Sequence, residues 1–228
     1  MKKLDKIKDY YNDTDAYLKE HSVFLANAKI DKEIKFLKKS LTLKKTERIL
    51  DVACGQGRHA NYLASKGYLI DGVDFSKTLL NLAKEKSGNL KNKPRYFLSN
   101  ILNFRPEHKY KKVYWLFADL AQIKIDKIAT SLERLVAKEG ILLLDFDNIF
   151  RLVVAISKRE FPNLQFDAFN CRLHDKETDT YVPFLTAQQW IELFKKKNFS
   201  FIRCYGNYDG QEYNLFSPRI IMTFKKTA

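Results

Sequence analysis

Cysteine, proline and glycine are all scarce in this 228-residue chain, at 3, 5 and 8 residues respectively. So little glycine and proline excludes a collagen-like or low-complexity chain. Cys54, Cys171 and Cys204 are odd in number, widely spaced and form no CxxC pair. That excludes a disulfide scaffold and a thiolate metal site, and it fits a reducing, cytoplasmic setting. Long apolar runs are also missing. Ile141 to Leu144 and Leu152 to Ile156 fall far short of the ~20 residues a membrane span needs, so no membrane partner is expected. Met1-Lys2-Lys3 opens a charged segment with no apolar stretch, and no signal peptide is expected. His21, His59, His108 and His174 show neither HxxxH nor HExxH spacing, so no metal site is expected either.

What the chain does have is an ordinary globular share of apolar residues, 45%, which excludes disorder over the whole length. Its length suits a single domain. The 41 basic and 27 acidic residues leave a net charge of +14, which raises the question of a nucleic-acid partner. The basic residues are mostly lysines in short, dispersed runs such as Lys38-Lys39, Lys111-Lys112 and Lys195 to Lys197. Arginine, the better reader of bases and phosphates, is used sparingly. A solvated lysine-rich surface is the preferred reading.

Three regions follow from the patterning. Residues 1–45 read as a helical cover, with Ile30, Ile34, Leu37 and Leu41 at helical spacing. Upstream, Tyr10, Tyr11, Tyr17 and Phe24 suggest a shorter amphipathic helix. Residues 46–147 alternate strand and helix and form a cofactor-binding core. The strands are Arg48 to Ala53, Tyr68 to Asp74, Arg95 to Asn100, Lys112 to Ala118 and Gly140 to Asp147. The helices are His59 to Lys66, Lys77 to about Lys86 behind a Ser76 cap, and Asp126 to Ala137. Residues 148–228 form a substrate-side insertion and C-terminal strands. No element is assigned over Asn148 to Pro183. Thr186 caps a helix through Lys197, and strands at Phe199 to Tyr205 and Arg219 to Phe224 close the chain. Helices between successive strands imply a mostly parallel sheet. The last two strands, joined only by a loop, should pair antiparallel.

The sharpest chemical feature is Asp51-Val52-Ala53-Cys54-Gly55-Gln56-Gly57, between the first strand and a helix. Gly55 and Gly57 permit a tight turn and a close backbone approach to a ligand. Gly55-x-Gly57-x-x-Ala60 also fits a dinucleotide fingerprint. Asp51 argues against that ligand, because a carboxylate at this strand end would repel a pyrophosphate. It suits a cationic group such as the α-ammonium of a methionine moiety. Asp74 ends the second strand, 17 residues after Gly57, where it can accept from two ribose hydroxyls. The plainer reading is that it caps the Ser76 helix. Phe75 can pack on an adenine ring. Asn100 can accept from an adenine amino group, and Ile101 can supply an apolar face.

These segments resemble the class I S-adenosylmethionine-dependent methyltransferases over nearly the whole chain. Ile49 to Ala60 is similar to that family's first motif, and Gly67-Tyr68 with Gly72 to Ser76 to its second. Tyr205-Gly206-Asn207-Tyr208-Asp209-Gly210, followed by Ser217-Pro218-Arg219, resembles a bacterial and archaeal subgroup of small, stand-alone enzymes. The resemblance implies an α/β, Rossmann-like fold whose seven-stranded sheet has order 3-2-1-4-5-7-6 with strand 7 antiparallel. It implies S-adenosyl-L-methionine as cofactor, with Ala53, Cys54 and Phe117 completing the expected contacts. Asn100 stands where the family usually has Asp, and Glu139-Gly140 replaces its usual Pro-Gly-Gly turn.

Methyl transfer from a sulfonium needs positioning, desolvation and, for some acceptors, a base. Asp119, Asp147 and Tyr11 are the candidates for touching substrate. Asp145 reads as a buried or edge strand residue, and Cys54 as a packed one. The expected acceptor is an O or N atom of a small molecule, handled by a cytoplasmic monomer or homodimer. The alternative is RNA or another nucleic acid. Phe117-Ala118-Asp119-Leu120 stands where base amino-group enzymes carry Asn/Asp-Pro-Pro-Tyr, and no cysteine follows a proline. An oxidoreductase is disfavoured by Asp51, and a cofactor-binding protein without turnover stays open.

Overall fold

The computed structural model describes residues 27–118, 120, 124–177 and 179–227. Ile30, Ile34, Leu37 and Leu41 form one stripe of helix α1 (Asn27–Leu41), and all four are buried while Lys32, Lys35, Lys38 and Lys39 face outward. The stripe is the helical period made physical. Alternation then runs through β1 (Arg48–Val52), α2 (Arg58–Ser65), β2 (Leu69–Asp74), α3 (Lys77–Lys86), β3 (Arg95–Leu98), β4 (Tyr110–Trp115), α4 (Ile125–Leu135) and β5 (Val136–Asp147). After β5 come α5 (Ile149–Ser157), the short strands β6 (Leu164–Asp167), β7 (Arg172–Asp175) and β8 (Thr180–Pro183), then α6 (Ala187–Lys195), β9 (Phe199–Tyr205) and β10 (Arg219–Lys226).

The main sheet has order β3-β2-β1-β4-β5-β10-β9. Its first five strands are parallel, and β10 lies antiparallel to both β5 and β9. This is the order expected from the sequence, with β9 and β10 as the sixth and seventh strands. Side chains alternate across it with a period of two. Leu50, Val113, Leu142, Leu144 and Met222 join the core beneath α4 and α6, whereas Ile49, Tyr114, Leu143 and Ile221 join the core beneath α1 and α2. Both faces are therefore covered, as a parallel sheet requires. Among the described residues, no helix is long and apolar enough to cross a membrane.

Several boundaries differ from the sequence reading for local reasons. β1 stops at Val52 and β4 at Trp115 because Ala53 and Phe117 turn into left-handed backbone, at φ 52° each. β3 stops at Leu98, since the Asn100 carboxamide oxygen accepts from Leu102 N at 2.9 Å and folds the chain back. β5 begins at Val136, four residues early, and takes over directly from α4. Its register against β4 slips near Tyr110, where a Cβ on Gly140 would come within 2.7 Å of the Ala137 carbonyl. The segment Asn148 to Pro183, left without elements above, holds α5 and a separate antiparallel sheet β6-β7-β8. Strands of four residues are too short to announce themselves by alternation.

One buried charge ties the parallel strands together. Asp71 on β2 is fully buried and accepts from Arg48 on β1 (2.8 Å), twice from Arg95 on β3 (2.8 and 2.6 Å) and from the Tyr110 hydroxyl on β4 (2.7 Å). Burial alone would raise its pKa, but the bonds from Arg95, Tyr110 and Arg48 outweigh it and hold the carboxyl below its ordinary value. Asp71→Ala should cost about 3 kcal/mol, the lower end for breaking a buried pair because Arg95 is itself half exposed. Urea unfolding at neutral pH measures that loss. A depressed carboxyl pKa stabilises above the unfolded value and stops doing so as pH falls through the folded one. The difference between wild type and variant should therefore shrink below about pH 4.

Candidate active site

In parallel α/β sheets a ligand crevice forms outside the carboxyl ends of the strands. Here the loop after β1 is built from three residues with positive φ, Ala53 (52°), Gly55 (53°) and Gly57 (72°). Its backbone is pinned at each step. Cys54 N donates to the Val73 carbonyl (3.1 Å), Gly57 N to the Cys54 carbonyl (2.9 Å), and Gly55 N to Asp74 Oδ2 (2.8 Å). The other Asp74 oxygen accepts from Ser76 N at 2.8 Å, and Ser76 in turn caps α3 at Leu79 N. Asp74 thus caps the turn into α3 and also holds the glycine loop. Burial pushes its pKa up against backbone donors at Ser76, Gly55 and Phe75.

Gly57 corrects the expectation that the glycine makes room for a ligand. A Cβ there would run into the Tyr96 hydroxyl and come within 2.8 Å of the Ala83 Cβ, so protein fills that space. Tyr96 is itself fixed by donating to Asn61 Oδ1 at 2.7 Å. Cys54 packs between the loop and β2, where a Cβ on Gly72 would meet its sulfur at 2.7 Å. Burial raises its thiol pKa, which leaves it neutral and unreactive.

Asp51 lies just before the loop, only 3% exposed and in register with Tyr114 on β4. Among the described residues Asp51 Oδ2 and Arg58 Nη1 are buried without hydrogen-bond partners, and the buried Tyr114 hydroxyl lies against the Asp51 carboxyl. Such atoms are rare in folded proteins, because an unpartnered buried polar group costs about 1–3 kcal/mol. Burial drives the Asp51 pKa up to about 8. Repulsion from Asp74 adds to the rise, while Tyr114 and Arg58 oppose it. A carboxyl and a guanidinium nitrogen thus stand unsatisfied at opposite ends of one glycine loop.

A second polar group forms the wall beyond β4. Phe117, held at positive φ, donates its backbone N to Asp145 Oδ2 at 3.0 Å. Asp145 is fully buried and also accepts from the Tyr208 hydroxyl (2.6 Å) and Arg219 Nε (2.7 Å). Arg219 pairs with Asp147 as well, and its guanidinium lies 5.0 Å from the Phe117 ring centre. Arg58 approaches the same ring at 5.9 Å, and the His59 ring stacks on it at 6.4 Å. Glu33 on α1 closes the group through Arg58 (2.7 Å) and His59 Nε2 (2.8 Å).

The structure brings Asp51, Ala53, Cys54, Gly55, Gly57, Asp74 and Phe117 together at this edge. Phe75 follows Asp74 and is half-buried. Asn100 spends one lone pair of its oxygen on Leu102, and Ile101 is buried in the core cluster with Val73 and Phe104. Asp147 reaches the edge but is paired, with 54% of its side chain exposed. Asp145 is buried, as read from the sequence. Asp119 and Tyr11, and with them Tyr10, Tyr17 and Phe24, lie outside the described residues. Among the described residues no His, Cys, Asp and Glu group could hold a metal ion. Sequence reasoning missed Glu33, Arg58, Tyr114 and Tyr208. Glu33 carried a signal, since it is an acid on the apolar stripe of α1, where burial demands a partner.

Residues 49–140, about two fifths of the chain, match the methyltransferase-domain family. YqeM of Bacillus subtilis (strain 168), whose name assigns it to the methyltransferases, is 30% identical over 149 residues. That match covers 63% of this chain and 59% of YqeM, so the chain spans about three fifths of its relative's length. Among solved structures, the magnesium protoporphyrin IX methyltransferase of Synechocystis PCC 6803 with bound SAH superposes with a TM-score of 0.68 at 17% identity, covering 99% of this chain and 100% of that one. The 1,6-didemethyltoxoflavin-N1-methyltransferase of Burkholderia thailandensis gives a TM-score of 0.64 at 14% identity, covering 99% and 89%. The chain has the fold of these S-adenosylmethionine-dependent methyltransferases, and its residues 49–140 match the methyltransferase-domain family. The resemblance read from the residues is borne out at that level.

Gly57→Ala tests whether packing, not ligand room, fixes this glycine. Left-handed strain and the clash with Tyr96 should together cost about 2–3 kcal/mol in a thermal or urea melt. Adding Tyr96→Phe, which removes the obstructing hydroxyl, should recover part of the loss.

Proposed function

We propose that this protein is an S-adenosylmethionine-dependent methyltransferase acting on an oxygen or nitrogen atom of a small molecule. The observation that carries the reading is a pair of buried polar atoms without partners among the described residues, Asp51 Oδ2 and Arg58 Nη1, on either side of the glycine loop. A zwitterionic amino-acid moiety supplies what both lack. Its ammonium fits the orphaned Asp51 oxygen, and its carboxylate fits Arg58 Nη1. Asp74, fixed by backbone donors at Gly55, Ser76 and Phe75, has lone-pair capacity left for a ribose hydroxyl. The residues present therefore fit the cofactor. When bound, it supplies a methyl group on a sulfonium, already activated for displacement. The chain's part is to hold, orient and exclude water.

A small acceptor is supported by the compact wall around Phe117 and by the dispersed lysines, which form no continuous phosphate track. The two methyltransferases compared above have a porphyrin and toxoflavin precursor in their names, both small molecules. A cytoplasmic location follows from the free cysteines. The +14 charge keeps RNA as the runner-up, and the two separate by salt. Phosphate contacts release counterions, so RNA binding by charge should weaken steeply between low and near-physiological salt. Saturable RNA binding that survives this range, with methyl incorporation into RNA, would promote the runner-up.

Calorimetry with S-adenosylhomocysteine is the direct test, and micromolar binding is the expected result. Asp74→Ala should weaken it by about 1.5–3 kcal/mol, the scale of hydrogen bonds to a charged group. Asp51 adds a pH signature. With its pKa near 8 in the free protein, Asp51 is protonated at neutral pH and must lose that proton to receive an ammonium. Affinity should rise from pH 6 towards pH 8, and the binding enthalpy should depend on buffer as a proton is released. Asp51→Asn should abolish both effects. Binding of NADH with none of S-adenosylhomocysteine would end the proposal.

A further inference from the structure

The donor site leaves unexplained why a histidine and a glutamate are buried together beside it. Glu33 is an acid on the apolar stripe of α1, 3% exposed, and His59 is 9% exposed in the first turn of α2. Burying such groups is costly unless their partners are well placed. Glu33 Oε2 meets both Arg58 (2.7 Å) and His59 Nε2 (2.8 Å). Arg58 and His59 both bond the same oxygen, so Glu33 Oε2 accepts from each and Nε2 carries the imidazole proton. That leaves Nδ1 bare. Nδ1 has no hydrogen-bond partner among the described residues. Of the side chain, 11% stays exposed.

The ring also stands in the right neighbourhood. It stacks on Phe117 with planes 19° apart, next to the loop that follows β4, and it follows the glycine loop by two residues. The elements packed against it contribute Glu33 from α1, Arg58 from its own helix and Asp145 from β5. Burial lowers its pKa and Arg58 adds to this, while Glu33 and Asp145 oppose it. The net direction is downward, so the imidazole is neutral at physiological pH.

We propose that His59 is the general base of the transfer, with Glu33 as its positioning residue, and that the acceptor atom is a hydroxyl that must lose its proton. The inference rests on the donor site proposed above. As the hydroxyl oxygen forms its bond to the methyl carbon, its proton passes to His59 Nδ1. The carbon–sulfur bond breaks with its electron pair kept by sulfur, which yields the neutral thioether. The imidazolium then returns the proton to solvent through its exposed edge. An amine already in its free-base form needs no such base, so the arrangement favours phenolic or enolic oxygen over nitrogen.

The test uses the full chain labelled with 15N-histidine, with the His59 signal assigned by its loss in His59→Gln. The expected spectrum shows neutral imidazole at pH 7 with the proton on Nε2. It titrates below 6.5, the ordinary histidine value, and the Nδ1 shift moves when S-adenosylhomocysteine is added. In Glu33→Gln the preference for the Nε2 proton should weaken. Transfer from tritiated S-adenosylmethionine is then followed on catechol and hydroquinone probes, with anilines in parallel. Label should enter the phenols, with a rate that falls below the titration point of His59. His59→Gln should lower that rate about 100-fold or more, the scale of general-base catalysis, and change S-adenosylhomocysteine affinity less than about threefold. A charged His59 at pH 7, a proton on Nδ1, or phenol labelling undiminished in His59→Gln would overturn the assignment. Label in anilines alone would overturn it too. Loss of S-adenosylhomocysteine binding by the wild type would instead strike the donor site itself, so the two failures are distinguishable.

Discussion

Asp145 is the point on which the carboxyl edge of the sheet depends. Its carboxylate, fully buried at the end of β5, joins Phe117, Tyr208 and Arg219, which stand 28, 63 and 74 residues away in sequence. A carboxylate cannot be taken wholly out of water without compensation, and here it receives a guanidinium, a phenol and a peptide N–H. Each partner is fixed in return. Phe117 is held in a left-handed turn that a bulky residue seldom adopts, at a cost of roughly 1–2 kcal/mol. Arg219 is held over the Phe117 ring, and Tyr208 is drawn against Phe36 of α1 at 5.5 Å between ring centres. The C-terminal strand pair, the loop after β4 and the helical cover are thereby locked to one another.

The two ends of the site follow opposite rules. Around Asp145 every polar atom of the carboxylate is used, which makes a rigid wall. Around Asp51 two buried polar atoms, Asp51 Oδ2 and Arg58 Nη1, are left without partners among the described residues, and the protein carries their desolvation cost. A ligand bearing the missing charges would recover that cost on binding.

Much of the fold was legible because the sheet is built from local signals. Apolar runs, capping residues such as Ser76 and Thr186, and the absence of a helix between β9 and β10 each act within a few residues. These signals gave the alternation, the antiparallel end and the glycine loop, while the strand order came from the family resemblance. The insertion between β5 and α6 was opaque because its strands are four residues long and pair only with one another. Boundaries erred where a single dihedral decided them, as at Ala53 and Phe117, since a non-glycine residue gives no warning of positive φ.

The amino-acid sequence by itself determined the α/β class, the topology, and the line of residues Asp51, Gly55, Gly57 and Asp74 along the carboxyl edge. Adjacent residues on one strand-to-helix unit report on one another through spacing alone. Only the tertiary structure decided that Asp51 meets Tyr114 across two strands, and that space at Gly57 belongs to Tyr96. The same holds for Glu33 reaching Arg58 and His59, and for the tail placing Tyr208 and Arg219 on Asp145. Those pairings join elements that are distant in the chain, and burial, not spacing, selects which polar group must find which partner.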